Sequence, residues 1–408
     1  MWLSDLKLVL PDRVAEHGAV HIEDETIVEI VEGDAPAASA GVLSVPGMTA
    51  MPGIIDLHGD MLERDIEPRP GARFPTQLAL YELDKRLAAA GITTAYAAIS
   101  FAWSKDDLRS QEKAQEIIGV INEQRHDLLV DFKVHARFEI TNPDTGSLLR
   151  NLVEQGQVNL VSVMDHTPGQ GQYKNVDRYV NFMSRWLGFD PDQIGDDILD
   201  RIKGSIIQKT AIPSDWNIVR NVTEIALKYD IPVASHDDDT IEKVGKMADL
   251  GVTISEFPVT LEGAQEAKRR GMHVVMGAPN AYRGQSTSEG NLSARDAIKA
   301  GVVDVLSTDY FPAAPFHAAL LLAVQGDMLL HESIKLISQI PADAMRLHDR
   351  GRLEAGLNAD LVLYDNSANH PRVRATFRRG IPIFWDSTMA RLAAQQDFRF
   401  PNVRVESA

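Results

Sequence analysis

Six side chains in this sequence could hold a divalent cation, and each stands at the end of an apolar run. His58 and Asp60 follow Ile54-Ile-Asp-Leu57, and Glu139 follows Phe138. His166 follows Val161-Ser-Val-Met-Asp165, His236 follows Val233-Ala-Ser235, and Asp309 follows Val305-Leu-Ser-Thr308. In an extended chain His58 and Asp60 share a parity and lie about 6 to 7 Å apart. Three imidazoles and three carboxylates form a borderline-hard set, suited to Zn first and also to Mn, Fe or Ni. Six protein ligands exceed one tetrahedral site, so two divalent metal ions sharing a bridging carboxylate are the economical arrangement. A lone His at a strand end is ordinarily a satisfied polar side chain, but six ionisable groups would be costly to bury without a cation or partners. His135 has no such support and reads as structural.

Cations suited to an anionic ligand lie just beyond these ends. Pro68-Arg-Pro-Gly-Ala-Arg-Phe-Pro75 carries Arg69 and Arg73 in a Pro-stiffened loop after the first ligand pair. Gly277-Ala-Pro-Asn-Ala-Tyr-Arg-Gly-Gln-Ser286 offers Asn280, Arg283 and Ser286, and Gly169-Gln-Gly-Gln-Tyr-Lys174 supplies Lys174. Amide N–H groups of a Gly-rich backbone and guanidinium forks both match phosphate oxygens. Together these loops favour a small, phosphorylated, polyanionic substrate.

Such groups can meet only if the intervening chain brings strand ends to one place. Leu80, Leu83 and Leu87 share a helix face before Gly91, and Ile92-Thr-Thr-Ala-Tyr-Ala-Ala-Ile99 then reads as a strand. The same order of helix, glycine and strand recurs at Gly251, Gly271 and Gly301. With residues 133–140, 159–166, 231–236 and the opening strand, eight strands alternate with helices. That pattern predicts an α/β fold, a (β/α)8 TIM-type barrel over residues 51–351, with its reactive groups at the C-terminal strand ends. The rival doubly wound sheet lacks a Gly-x-Gly-x-x-Gly turn to support it. Residues 1–50 alternate in the β manner, Ala359-Asp-Leu-Val-Leu-Tyr-Asp365 and Val373-Arg-Ala-Thr-Phe-Arg-Arg-Gly-Ile-Pro-Ile383 in the last segment, 352–408, have the same character, and neither segment offers enough apolar surface alone. They are expected to combine into one small β-sandwich domain. The acidic stretch 190–200 reads as a solvated insertion.

The totals exclude several classes. The formal charge of 41 − 58 = −17 repels nucleic acid and anionic membranes. The absence of cysteine removes disulfides, thiol catalysis and cysteine-ligated zinc. The first residues lack the basic start and apolar core of a signal peptide, and Ala318 to Val324 is too short to span a bilayer. A cytoplasmic enzyme, with a homodimer as its assembly, is the expectation.

Pro52-Gly-Ile-Ile-Asp-Leu-His58, Ala355-Gly-Leu-Asn-Ala-Asp-Leu-Val-Leu363 and Asp309 resemble the amidohydrolase superfamily. Leu57-His-Gly-Asp60, Pro68-Arg-Pro-Gly71, Val163-Met-Asp-His-Thr-Pro-Gly-Gln170, Ala234-Ser-His-Asp-Asp238, Glu256-Phe-Pro258, Met276-Gly-Ala-Pro-Asn280, Arg283-Gly284 and Ser307-Thr-Asp-Tyr-Phe-Pro312 are similar to one subgroup. It is the phosphonate-metabolism amidohydrolase of the C-P lyase pathway. The resemblance implies hydrolysis of α-D-ribose 1-methylphosphonate 5-triphosphate to the 5-phosphate and pyrophosphate. It also implies a divalent metal centre lined by His58, Asp60, Glu139, His166, His236 and Asp309, with Asp309 as both ligand and proton acceptor. Hydrolysis of a C–N bond in a cyclic amide or amino-heterocycle is the alternative the superfamily offers. Asp60 and Glu139 stand where the superfamily usually has the second His of His-x-His and a carboxylated lysine, and Glu139 falls on strand three where its scheme expects the bridge on strand four. Two further departures bear on the substrate: Gly59 where the subgroup usually has Thr, and Ser286-Thr-Ser288 where it has Ser-His-Ser.

Overall fold

The computed structural model describes residues 1–35, 41–69, 71–101, 108–142, 144–167, 180, 184, 199, 204, 215–286, 290–366 and 370–400. Both termini build one mixed sheet. Its strands are β1 (Trp2–Val9), β2 (Val14–Glu23), β3 (Thr26–Glu32), β4 (Val42–Ser44) and β5 (Thr49–Pro52) from the first segment. The last segment returns far along the chain and pairs antiparallel with β5, so neither terminal segment closes the sheet alone. Leu3, Leu6, Leu8, Ile22 and Ile27 from one segment pack with Leu361, Leu363 and Phe377 from the other, giving the small β-sandwich its own core.

The middle of the chain forms eight parallel strands in sequence order: β6 (Ile54–Gly59), β7 (Ile92–Phe101), β8 (Asp131–Glu139), β9 (Leu160–Met164), β10 (Val233–His236), β11 (Ile254–Glu256), β12 (His273–Gly277) and β13 (Val305–Ser307). A parallel bridge between Gly59 and Asp309 joins the last to the first. The terminal sheet is completed by β14 (Leu361–Asp365), β15 (Arg372–Arg378) and β16 (Ile381–Trp385), giving the order β16-β15-β14-β5-β1-β2-β3 with β4 beside β1. A helix, Ser387–Gln395, capped by the Asp386 side chain, follows them; no expectation covered it.

The barrel strands read as apolar runs because both faces are covered. Phe132, Val134, Ala136 and Phe138 of β8 face the helices, in one core with Ile117, Ile118 and Ile121. Ile55, Leu57, Tyr96, Leu160, Ala234, Ile254, Val275 and Val305 fill the barrel interior. Each anticipated strand is present, and the glycine at Gly91 (φ 88°) takes the left-handed cap that turns helix Thr76–Ala89 into β7. Three polar links fix the terminal sheet to the barrel. Thr376 Oγ1 donates to the Ala88 carbonyl at 2.8 Å, and Arg378 Nη1 donates to the Leu128 and Leu129 carbonyls at 3.0 and 2.6 Å. Among the described residues, no helix is long and apolar enough to cross a membrane.

Candidate metal centre and active site

The barrel interior changes from apolar to charged at the C-terminal strand ends. On β8 the residues facing inward are His135, Arg137 and Glu139, all buried, and near them stand Ser162 from the adjacent β9 and His58, His236 and Glu256 from β6, β10 and β11. His58 is 2% exposed and Glu256 is 0% exposed. His58 Nδ1 lies 3.2 Å from Glu256 Oε1, Ser162 Oγ donates to Glu256 Oε2 at 2.9 Å, and His135 Nε2 stands 3.7 Å from the same oxygen. The His58 and His236 rings are 5.8 Å apart, and His166 is 5.5 Å from His236.

His166 is held from both sides. Its Nδ1 bonds to Glu139 Oε1, its amide donates to Glu139 Oε2 at 3.1 Å, and its Nε2 lies 3.5 Å from Asp237 Oδ2. The same Asp237 oxygen is 3.2 Å from His236 Nδ1. Two groups therefore present ligand atoms within 4.8 Å of one another: His58, His236 and Glu256, and His166, His236 and Asp237. Glu139 ends the third barrel strand and His166 follows the fourth, so the strand count made from sequence holds.

The seam between the first and last strands carries the remaining two carboxylates. Asp309 N donates to the His58 carbonyl at 2.9 Å, and Asp60 N donates to the Asp309 carbonyl at 3.0 Å. Beneath them the buried Asp56 accepts from Thr308 N at 2.8 Å and Thr308 Oγ1 at 2.6 Å. Asp237 (φ 55°) and Phe257 (φ 51°) take the left-handed conformation directly after a strand end, and Asp309 (φ 55°) does so two residues beyond the end of β13. For residues other than glycine this backbone costs on the order of 1–3 kcal/mol, and it persists where the surroundings over-determine it.

Electrostatics divide the groups by role. Burial, then the charge of Arg137, keeps His58 far below the ordinary imidazole range, so it is neutral and able to ligate. Burial works against a charged Glu139, but His166 and Arg137 outweigh it and hold the carboxylate below its usual value. Burial likewise opposes a charged His166, but Glu139 and Asp237 raise it to about 9. Burial and the neighbouring Asp60 push Asp309 up to about 7, in the range of a proton acceptor at neutral pH. Asp60 Oδ1 is buried with no hydrogen-bond partner among the described residues. A buried carboxylate lone pair without a donor, beside the neutral His58 imidazole, is the chemistry of a cation site.

The expected anion-binding residues lie farther out. Arg69 and Arg73 are exposed in their loop, and Arg73 Nε donates to Glu67 Oε2 at 2.6 Å. Arg283 is exposed at the end of helix Ala278–Arg283, 3.5 Å from the Tyr310 hydroxyl. It lines a cavity of about 1000 Å³ together with Tyr310, His317 and, from the terminal sheet, Lys7. Asn280 Oδ1, on the same helix, is buried with no partner among the described residues, and Ser286 is half-buried just beyond. Lys174, Thr287, Ser288 and the acidic stretch 190–200 lie outside the described residues, apart from residue 199.

Four residues near the centre carried no expectation. Glu256 stands at a strand end like the expected ligands, and Asp237 directly follows one of them, so both lie where a ligand would be sought. Arg137 and Arg64 were not, because nothing local distinguishes an inward arginine from a surface one. Arg64 stacks 5.7 Å from the Tyr310 ring centroid and lowers the pKa of Asp309. His135, read as structural, meets His58 edge-on at 5.2 Å and donates from Nδ1 to the Leu57 carbonyl at 3.1 Å, one layer below the centre.

The chain is 32% identical over 390 residues to the alpha-D-ribose 1-methylphosphonate 5-triphosphate diphosphatase of Escherichia coli strain K12, covering 94% of this chain and 100% of that protein. This chain belongs to the amidohydrolase superfamily. Residues 233–381 match the model of the amidohydrolase family. A Xaa-Pro dipeptidase with bound methionine in its active site superposes with a TM-score of 0.65 at 13% identity, over 93% of this chain and 98% of that one. A 5-methylcytosine deaminase from Klebsiella pneumoniae does so with a TM-score of 0.64 at 14% identity, over 95% and 98%. These two share the fold. The superfamily generally uses divalent metals, and the donor set here fits that use.

Proposed function

We propose that this amidohydrolase is a diphosphatase that cleaves the triphosphate of α-D-ribose 1-methylphosphonate 5-triphosphate, giving the 5-phosphate and pyrophosphate. The observation that carries the reading is the near-complete, 32% identical match to a diphosphatase of that name. Its support is a charged barrel mouth able to hold cations and receive an anion. His58, Asp60, Glu139, His166, His236 and Asp309 would hold two divalent ions, zinc first. Such ions supply a lowered pKa for a water molecule and offset charge on phosphoryl oxygens.

The chain's own residues do the rest. Asp309, raised to about 7 by burial and by Asp60, takes the proton of the attacking water. Glu256 orients His58 through Nδ1, leaving Nε2 for ligation. Asp237 and Glu139 fix the His166 ring between them. Arg69, Arg73, Lys174, Asn280, Arg283 and Ser286 bind the phosphate chain. Residues 1–50 and 352–408 form the supporting domain and 51–351 the catalytic one. The reading includes a cytoplasmic homodimer, for which light scattering is the check.

The test is hydrolysis by the metal-reconstituted protein of ribose 5-triphosphate derivatives, nucleoside triphosphates and a panel of cyclic amides, following pyrophosphate and ammonia together. Pyrophosphate from the ribose triphosphates is the expected result. Ammonia or ring opening, without pyrophosphate, assigns the centre to C–N hydrolysis instead.

A further inference from the structure

Arg137 is the unexplained charge at the heart of this centre. It is 7% exposed, on the inward face of β8 two residues before Glu139. Its Nη2 lies 3.0 Å from His236 Nε2, and its Nε is buried with no hydrogen-bond partner among the described residues. Its charge is felt at His58, His135, Glu139 and Asp309. A guanidinium has five donors and no acceptor, so at this contact His236 Nε2 must supply the lone pair and the ring proton must sit on Nδ1.

That requirement sets Arg137 against any cation at His236. A neutral imidazole has one in-plane lone pair to give. A cation bound at Nε2 takes it directly. A cation bound at Nδ1 sends the proton to Nε2, where it meets the Arg137 donor. In both cases Arg137 must leave His236, and its fork is then a free, buried set of donors beside the reacting position. We infer that Arg137 exchanges His236 for the oxygens of an anionic substrate when His236 takes a metal, so that one residue guards the empty centre and binds the phosphoryl group in the loaded one. The inference rests on the reading of the centre as a site for metal and polyphosphate. It adds a binding residue that the exposed arginines do not supply, since a fork on buried phosphoryl oxygens is bidentate and desolvated.

The experiment uses the full chain and two probes, zinc alone and then inorganic pyrophosphate on the metal-loaded protein, both followed by calorimetry. Arg137→Met removes the competitor for His236, so zinc binds about tenfold more tightly than to wild type. The same variant loses the fork, so pyrophosphate binds about thirtyfold more weakly or worse. A merely structural arginine would weaken both or neither, and either of those results overturns the inference. Arg137→Lys, with its fold checked by circular dichroism, keeps the charge without the fork and weakens pyrophosphate severalfold; unchanged pyrophosphate affinity there also overturns it. If the loaded wild type hydrolyses no triphosphate while Arg137→Met still shifts the two affinities in opposite directions, the proposed substrate fails and the exchange at His236 stands.

Discussion

The Asp309 amide donates to the His58 carbonyl at 2.9 Å, and through this bond the last barrel strand meets the first. The residues that close the barrel are thus the residues whose side chains face the centre. Backbone atoms make the seam, with the Asp60 amide returning a bond to the Asp309 carbonyl, while the carboxylates and imidazole remain available for chemistry. The left-handed backbone at Asp309 is what turns its side chain at the seam.

Separation of seam and side chain makes Asp309→Asn informative. Asn tolerates the left-handed conformation as well as Asp does, and the two backbone bonds are unaffected, so the fold persists. Losing the proton acceptor should lower turnover by about a thousandfold, while elemental analysis finds most of the metal still bound. Full activity in this variant would remove Asp309 from the chemistry.

Gly59→Thr, the residue the subgroup usually has, should destabilise this chain. A Cβ at Gly59 would stand 2.8 Å from Met61 Cε and 2.9 Å from both Asp56 Oδ2 and Thr308 Oγ1. It would press on the buried pair that braces the seam. Urea unfolding of the variant should show a loss of about 1–3 kcal/mol. On this account the departure from the subgroup pattern reflects packing against Asp56 and Thr308. A variant as stable as wild type would return Gly59 to the question of substrate.

Much of the architecture was legible because the barrel repeats its grammar. Runs such as Val161 to Met164 have no alternation since both faces are covered, and a glycine with positive φ precedes strands as at Gly91 and Gly251. The ligand candidates were legible because a charged residue after such a run is conspicuous. Tertiary partners were not. Nothing near Arg137 in sequence signals His236, 99 positions away. The contact between Asp56 and Thr308 spans 252 positions. Glu256 was hidden for another reason: it stands at a strand end, but its three-residue strand Ile254–Glu256 offers little apolar run to mark it.

Glu256 is consequently a useful place to test the centre. Its two oxygens serve His58 and Ser162, with His135 close by. Glu256→Gln keeps the shape but removes the charge that sets the His58 ring. Metal affinity should fall about 10- to 100-fold, measured by competition with a chromogenic chelator. Unaltered affinity would assign Glu256 to packing alone.

The two exposed arginines on different loops should behave differently. Arg73 is already paired with Glu67 at 2.6 Å, both at the surface loop, and such pairs contribute little. Arg283 faces Tyr310, next to Asp309, on the wall of the large cavity. Arg283→Ala should raise KM for a triphosphate substrate about tenfold or more, and Arg73→Ala by less than about threefold. Equal, negligible effects on both would favour a substrate without a phosphate chain.

Metal uptake should release protons from different residues in two pH ranges. Although burial opposes it, Glu139 and Asp237 keep His166 protonated up to about pH 9, so at pH 8 a cation must displace that proton. Burial and Asp60 put Asp309 near 7, so it is protonated at pH 6 and ionised at pH 8. Both pKa values are raised, and the sign is therefore the same for each: lowering the pH adds a competitor, and metal affinity climbs from pH 6 toward pH 9. Zinc titrations in buffers of different ionisation enthalpy count the protons. The release should be larger by about one proton at pH 6 than at pH 8. His166→Asn should lose the release seen at pH 8, and Asp309→Asn the excess seen at pH 6. A proton count that ignores pH and both substitutions would take His166 and Asp309 out of the ligand set.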